Sequence, residues 1–134
     1  MATDGLITKP SSFGAKETMD RLEADIKAQG MAVFTRIDHA AGAAQVGLPL
    51  RQTEVLIFGS AKAGTPLMQA DQAIGIDLPL KVLVFEDEGG KAWLAYNDPS
   101  WLAHRRHGLG AAVTSTVDAM AAMLNTITTK ATKP

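Results

Sequence analysis

The chain has 134 residues, of which 46% are hydrophobic and 20% are charged, and its formal net charge at pH 7 is −1. This length and composition are typical of one folded domain and unlike a disordered segment. The near-neutral charge, without a basic stripe, argues against a nucleic-acid partner. The absence of cysteine excludes disulfides, thiolate chemistry and sulfur-ligated zinc.

No apolar run reaches the roughly 18 residues that cross a bilayer, so we expect no membrane partner. The first 30 residues also lack the apolar block of a signal peptide. We therefore expect a soluble, cytoplasmic protein.

The N-terminal part of the chain predicts a strand followed by a helix. Residues 1–12 form an N-terminal segment in which "GLITKP" predicts a short strand that ends at Pro10. A helix is expected from Gly14 to Gln29, and Gly30 is suited to the left-handed position that ends it. One apolar stripe at helical spacing marks its buried face: Ala15, Met19, Leu22 and Ile26.

The middle of the chain predicts a strand, a helix and a second strand, and a hairpin lies further along. "MAVFTRID" alternates in the manner of a strand, and Asp38 can cap the small-residue helix "HAAGAAQVG" that follows. "TEVLIFGS" predicts a more deeply buried strand. "LPLKVLVFED" and "KAWLAYND" predict two further strands joined by a glycine-bearing hairpin connection.

The C-terminal part predicts an amphipathic helix over residues 111–128 that packs on the main body, residues 13–110. Residues 129–134 have nothing to bury, and we expect them to be frayed. Together the elements predict an α+β fold: a mostly antiparallel sheet of four to five strands with helices packed against it.

The stretch "GSAKAGTP", from Gly59 to Pro66, has the glycine spacing of a phosphate-binding loop. However, no lysine follows Gly64, and Pro66 removes an amide donor, so the pattern argues against a nucleotide site. We expect instead that Thr65 caps a short helix with Pro66 in its first turn. Gly64 and Thr65 could then present backbone amides to a small anion.

Two polar clusters follow predicted strands and are candidates for chemistry. Asp38 and His39 end one strand, although capping by Asp38 with a partly exposed His39 explains both residues without a site. Tyr96 and Asn97 end another strand, and a buried phenol needs a polar partner. If Tyr96 meets His39 or Asp77 across the sheet, proton transfer between them becomes feasible.

A third cluster contains two histidines. Asp98 followed by Pro99 predicts the start of a helix that carries His104 and His107. The histidines share a face, but no third metal ligand is near, and cations in the last turn before Gly108 are favoured by the helix dipole. We expect no metal site, and the sequence leaves the question of a cofactor open.

Four strings together, "FTRIDHAAGA", "VLIFGSAKAGTPLMQ", "IDLPLKVLVFED" and "WLAYNDPSWLAHRRHGL", resemble one bacterial family, domain of unknown function 302. The resemblance covers Phe13 to Gly110. It implies a small α+β domain that is often a homodimer, and it implies no established activity.

The leading hypothesis is a domain that binds a small molecule or an anion in a pocket at the strand ends. The predicted pocket draws on the following residues: Asp38, His39, Gly64, Thr65, Asp77, Tyr96 and Asn97. The alternative is an enzyme that uses His39 or Asp77 as general base and Tyr96 as acid on a small carbonyl or carboxylate substrate. A third interpretation is a structural or interaction module, in which these residues serve only as helix caps and turn residues.

Overall fold

Five strands form one antiparallel sheet in the computed structural model, which describes residues 3–134. They are β1 (Leu6–Pro10), β2 (Ala32–Asp38), β3 (Thr53–Gly59), β4 (Leu80–Glu86) and β5 (Ala92–Asn97). Their order across the sheet is β1-β5-β4-β3-β2, so that β4 is central and β1 and β2 are the edges. The predicted α+β fold with a four- to five-stranded antiparallel sheet is confirmed.

Four α-helices connect and cover the strands: α1 (Ala15–Ala28), α2 (His39–Gln45), α3 (Ala61–Ala70) and α4 (Thr114–Thr132). Three short helical segments complete the described chain: a 3₁₀ segment (Gln72–Asp77), a π-helical segment (Trp101–Arg106) and a 3₁₀ turn (Ala111–Val113). Among residues 3–134, no helix combines the length and the apolar content that crossing a bilayer requires.

Helices α1 and α4 pack on the same face of the sheet and form the main core. The predicted stripe of α1 is confirmed, since Met19, Leu22 and Ile26 are fully buried. They meet the inward side chains of the strands, including Leu56 and Phe58 of β3, in one apolar cluster. Burial of such large apolar side chains is the dominant stabilising term in a domain of this size.

The end of α4 differs from the expected frayed tail. The helix continues to Thr132, and Ala131 and Thr132 are only 2% and 1% exposed. The backbone N–H of Ser12 donates to the carbonyl of Thr132 at 2.8 Å, which fixes the helix end against the segment after β1. Polar residues can be buried there because the hydroxyls of Thr128 and Thr132 donate to carbonyls of the preceding turn.

The segment after β3 also corrects a prediction, because Thr65 does not cap a helix. Helix α3 begins at Ala61, with Ser60 as its N-cap residue, and it carries Thr65 and Pro66 in its interior. The Ser60 carbonyl accepts the N–H groups of Ala63 and Gly64 at 3.1 and 2.9 Å, so the first turn forms before Thr65 is reached. Gly64 is therefore a helical residue rather than part of a turn.

Two other predicted caps are present. The Asp38 carboxylate accepts the N–H of Ala41 at 2.9 Å and caps α2. The Asp98 carboxylate accepts the N–H of Ser100 at 3.0 Å, and Pro99 occupies the first helical position after it.

Candidate functional site

The register of the sheet separates polar residues that the sequence predicts to share one pocket. Asp38, at the end of β2, lies beside Glu54 at the start of β3. Tyr96, near the end of β5, lies beside Val82 near the start of β4. Since neighbouring strands run in opposite directions, Asp38 and His39 lie at one end of the sheet, and Tyr96 and Asn97 lie at the other.

His39 and Tyr96 are therefore too far apart to exchange a proton directly. His39 and Asn97 are exposed, whereas Tyr96 is only 4% exposed and belongs to the core cluster with α4. Burial raises the pKa of the Tyr96 phenol, the Thr128 hydroxyl acts in the opposite direction, and Asp98 adds to the increase. A buried phenol with a raised pKa is a packing residue and a poor acid at neutral pH.

Asp77 has partners other than Tyr96. Its Oδ2 accepts hydrogen bonds from Arg106 Nε at 2.8 Å and pairs with His107 Nε2. Burial acts to raise the pKa of the Asp77 carboxyl, but the hydrogen bonds from His107 and Arg106 outweigh it, so the pKa lies below its usual value. This pairing ties the 3₁₀ segment before β4 to the π-helical segment.

The two histidines of the third cluster have separate roles. His104 Nδ1 bonds to the carbonyl of Leu109 at 2.8 Å, while His107 faces Asp77. In the part of the chain that the structure describes, no three histidine or acidic side chains gather as a metal site would require.

The end of the sheet that holds Asp38 is a network of ion pairs around Arg36. Its guanidinium donates to Glu54 at 2.6 Å, Asp20 at 2.7 Å and Glu23 at 3.0 Å. Burial lowers the pKa of Arg36, but the three carboxylates raise it by more. The pKa of Asp20 is lowered by its hydrogen bonds with Lys16 and Arg36, and the pKa of Glu23 is lowered by those with Lys27 and Arg36.

A cavity of about 160 Å³ lies beside this network, and its wall includes Asp38, Glu54 and Lys16. The charged groups around it are largely paired with each other. The Glu54 carboxylate accepts from Arg36, the Asp38 carboxylate caps α2, and Lys16 pairs with Asp20 at 2.8 Å. This end of the sheet is accordingly held together by its polar residues.

A larger cavity, of about 230 Å³, lies at the opposite end of the sheet, where β3 ends and β4 begins. Its wall is assembled from segments that are far apart in the sequence: the start of β2, the end of β3, α3, the 3₁₀ segment with the residues that follow it, and α4. The lining residues are Met31, Phe34, Gly59, Ser60, Ala61, Ala63, Gly64, Met68, Gly75, Leu78, Pro79, Leu80, Met120 and Met123. We call this space the methionine cavity.

Four of the five methionines in the described part of the chain line this cavity, together with three glycines, Gly59, Gly64 and Gly75. A Cβ added at Gly64 would lie 3.6 Å from Leu78 Cδ1, and one added at Gly75 would lie 3.4 Å from Met68 Sδ. Thioether side chains are flexible and polarizable, so they adapt their packing to an occupant. Among the described residues of the wall, only Ser60 carries a side-chain hydroxyl.

Phe34 stands at the mouth of the methionine cavity because β2 is irregular there. The pairing of β2 with β3 shifts between Val33 and Thr35, which leaves Phe34 outside the regular register. Its side chain is 59% exposed although it is a large aromatic ring. Such bulges often redirect a side chain toward a site.

Sequence reasoning found one residue of this wall as a ligand-binding candidate, Gly64, and missed the rest. In the sequence, Met68, Met120 and Met123 look like ordinary packing residues. The spacing of Met120 and Met123 does place both on one face of α4, but their meeting with Met31 and Met68 depends on tertiary structure. Asp77 adjoins the site through its neighbour Leu78 but does not line it.

The fold and this site define an α+β domain with a methionine-lined cavity at one end of its sheet. The chain belongs to the family described as Domain of unknown function DUF302, whose model matches residues 7–127. The predicted family membership is thereby confirmed.

A solved structure shares the fold. The crystal structure of an uncharacterized conserved DUF302 protein from Bacillus stearothermophilus has a TM-score of 0.83 to this chain. The alignment covers 96% of this chain and 99% of that one, at 18% sequence identity.

Two curated relatives are more similar in sequence. They are "Fluoride-specific ion channel FluC 1" of Brucella suis biovar 1 (strain 1330) and the protein of the same name of Brucella abortus biovar 1 (strain 9-941). Each is 48% identical over 124 residues, which is 92% of this chain but 48% and 46% of the two relatives. The chain thus spans about half the length of the curated relatives it matches.

Proposed function

We propose that this protein binds a small, largely apolar molecule in the methionine cavity. The observation that carries the proposal is the wall of this cavity, where four thioether side chains from three separate segments surround a space that small residues such as Gly64 and Gly75 keep open. Ligand sites are typically concave and mostly apolar, with few polar groups that fix orientation.

The volume of the cavity limits the size of its occupant. An apolar cavity of about 150 Å³ holds benzene in another protein, so the 230 Å³ here has room for a ring with a short side chain. An occupant with one polar group could place that group near Ser60, the hydroxyl-bearing residue of the wall.

The wall disfavours a bare inorganic anion as the occupant. Fluoride, the ion for which the curated relatives are named, would have to exchange its hydration shell for methyl and thioether groups. We therefore assign this cavity a role other than fluoride binding, whichever activity the other half of those relatives supplies.

The enzymatic alternative has less support from the geometry. His39 and Tyr96 lie at opposite ends of the sheet, and Asp77 is engaged by Arg106 and His107. We infer binding, without a reaction, as the function that the cavity supports best.

The experiment uses benzene as the probe and compares two glycine-to-alanine variants. Gly64→Ala puts a methyl group at ordinary contact distance from two cavity residues, Leu78 and Met68. Gly42→Ala, in α2, is the matched control because nothing lies within 4 Å of the position of its Cβ. Replacing glycine by alanine in a helix interior stabilises it by roughly 0.5–1 kcal/mol, so both variants should be at least as stable as the original protein.

Benzene should raise the unfolding temperature of the original chain and of Gly42→Ala, because a ligand that binds only the folded state stabilises it. In Gly64→Ala the affinity should fall by about tenfold, since the added methyl occupies space that the ligand needs. An original protein that shows no benzene-dependent rise, or a rise that is equal in all three proteins, would leave the proposal without support. Sodium fluoride added in place of benzene should have no effect that depends on Gly64.

A further inference from the structure

The methionines of the described chain differ in how far the solvent can reach them. Met19, on the inner face of α1, is fully buried, and Met120 is 5% exposed. Met31, Met68 and Met123 are each partly exposed, and all three line the methionine cavity. Within residues 3–134, the thioether groups that a small dissolved molecule can reach therefore belong to this cavity.

Gly75 leaves the sulfur of Met68 uncovered on one side. If a Cβ is placed on Gly75, the nearest heavy atom beyond its chain neighbours is Met68 Sδ, at 3.4 Å. Both residues line the cavity. A methyl group at that position would lie against the sulfur, and glycine provides none. A molecule inside the cavity can therefore approach this sulfur from the side of the 3₁₀ segment.

Methionine is the sulfur-bearing residue that this chain offers to an oxidant, because the sequence contains no cysteine. A lone pair of the thioether sulfur attacks one oxygen of hydrogen peroxide, and the O–O bond breaks. That oxygen stays on the sulfur as a sulfoxide, and its proton passes to the departing hydroxide, which leaves as water. The sulfur is oxidised and the peroxide is reduced, and methionine sulfoxide reductases reverse the change.

We propose that Met31, Met68 and Met123 form a site of reversible oxidation by small peroxides, and that this oxidation turns the methionine cavity from apolar to polar. The site of modification depends on the exposure of these side chains and on the open space beside them. The effect on ligand binding rests on the function proposed above, because it requires that the cavity hold an apolar ligand.

A sulfoxide would change what the cavity can bind. Oxidation converts a flexible apolar side chain into a polar one. The described wall offers these new oxygens a single side-chain hydroxyl, that of Ser60. An apolar occupant would have to remove water from sulfoxide groups that find no other partner, which is unfavourable. We expect the affinity for benzene to fall by at least about tenfold.

The first experiment exposes the folded full chain to hydrogen peroxide and follows each methionine by peptide mapping with mass spectrometry. Met31, Met68 and Met123 should be oxidised at least about tenfold faster than Met19, because susceptibility follows exposure. In guanidinium chloride, which unfolds the chain, Met19 should react as fast as the other methionines. Equal rates at Met19 and at the three cavity residues in the folded chain would overturn the proposal.

A substitution at Gly75 tests the direction of attack. Gly75→Ala places a methyl group against Met68 Sδ and should slow the oxidation of Met68 by about threefold or more. Met31 in the same protein is the internal reference, and its rate should not change. Gly42→Ala is the matched control, because nothing lies within 4 Å of the position of its Cβ. An unchanged rate at Met68 in Gly75→Ala would contradict attack from inside the cavity.

The second experiment measures benzene affinity, from the benzene-dependent rise in unfolding temperature, before and after peroxide treatment. Treatment should weaken binding by at least about tenfold, and repair by the two reductases that act on the two sulfoxide epimers should restore it. In a chain that combines Met31→Leu, Met68→Leu and Met123→Leu, treated and untreated protein should have equal affinity, whatever its value. Complete oxidation of the three methionines without a change in benzene affinity would overturn the switch from apolar to polar.

The results also distinguish a failure of this proposal from a failure of the ligand-binding function. An untreated chain that does not bind benzene would refute ligand binding, and selective oxidation of Met31, Met68 and Met123 would still establish the modification site. A chain that binds benzene but is not oxidised selectively would support ligand binding and refute the modification site.

Discussion

The two ends of the sheet differ in the side chains that surround them. At the end where β2 finishes, Arg36 gathers Asp20, Glu23 and Glu54, and polar groups hold the elements together. At the end where β3 finishes, the elements leave a space of about 230 Å³ lined by methionine and glycine. At the first end, the charged side chains around Arg36 are paired with one another. At the second end, flexible apolar side chains surround the larger of the two cavities.

The difference teaches that polar side chains at strand ends are a poor guide to a binding site in this fold. Asp38 and Asp98 accept backbone N–H groups as caps, and Asp77 is engaged by Arg106 and His107. A polar group that is already partnered has less to offer a ligand.

The largest effect on stability should come from removing the cation of the charged end. Arg36→Leu leaves three carboxylates without their shared guanidinium, and the Arg36 side chain is only 23% exposed. We expect the free energy of unfolding at pH 7 to fall by about 3 kcal/mol, measured by urea denaturation. Benzene affinity should be unchanged, because the methionine cavity is at the other end.

The pH dependence of this loss has a definite sign. The pKa values of Asp20 and Glu23 are lowered in the folded protein, so their contribution is present above the unfolded pKa, near 4, and is lost as the pH falls. The difference between Arg36→Leu and the original chain should therefore shrink below about pH 4. Lys16→Leu is the control, since Lys16 is 74% exposed and its pair with Asp20 should contribute less than about 1 kcal/mol. An equal loss of stability in both variants would contradict the conclusion that Arg36 and its three carboxylates hold this end of the sheet together.

A smaller effect is expected at Asp77, whose neighbour Leu78 lines the methionine cavity. Asp77→Asn weakens the bonds with Arg106 and His107, and it should cost about 1–2 kcal/mol at pH 7. Because the folded pKa of Asp77 is lowered, this stability is present above pH 4 and disappears as the pH falls further. Asp71→Asn serves as the control in urea denaturation, because asparagine can still accept the N–H of Ala73. A cost that does not change with pH would mean that charge is not the cause.

The smallest effect tests whether Asp38 does more than cap. Asp38→Ala should cost about 1 kcal/mol through the loss of the bond from the Ala41 N–H, and Asp38→Asn should restore most of it. Thermal unfolding of the two variants measures the difference. If Asp38→Asn were as destabilising as Asp38→Ala, the negative charge of Asp38, and not only its cap, would stabilise the fold. The contrast between a fully paired charged end and an open apolar end would then be weaker.

Local patterns predicted most of the fold. The α1 stripe from Ala15 to Ile26 and the caps at Asp38 and Asp98 depend on residues within a few positions of each other, and the structure contains all of them. Thr65 was assigned as a cap because Pro66 follows it, but the helix had already begun at Ala61. A proline inside a helix breaks the local rule, so only the structure could locate the true start.

The site could not be predicted in the same way, because it depends on strand order. His39 follows the end of β2 and Tyr96 lies next to the end of β5. Whether two such strand ends meet depends on strand order and direction, which local sequence patterns do not determine. Met31 and Met123 are 92 positions apart and become neighbours only through the packing of α4 against the sheet. Each methionine alone is indistinguishable from an ordinary core residue.

The most direct test of the methionine cavity observes the methionines themselves. With ¹³C-labelled methyl groups, titration with benzene should shift the NMR signals of Met31, Met68, Met120 and Met123 in a saturable manner. Met19, which is fully buried on the inner face of α1 and does not line the cavity, should not shift. Four unmoved cavity signals at saturating benzene, or an equal shift of Met19, would contradict a ligand site at this end of the sheet.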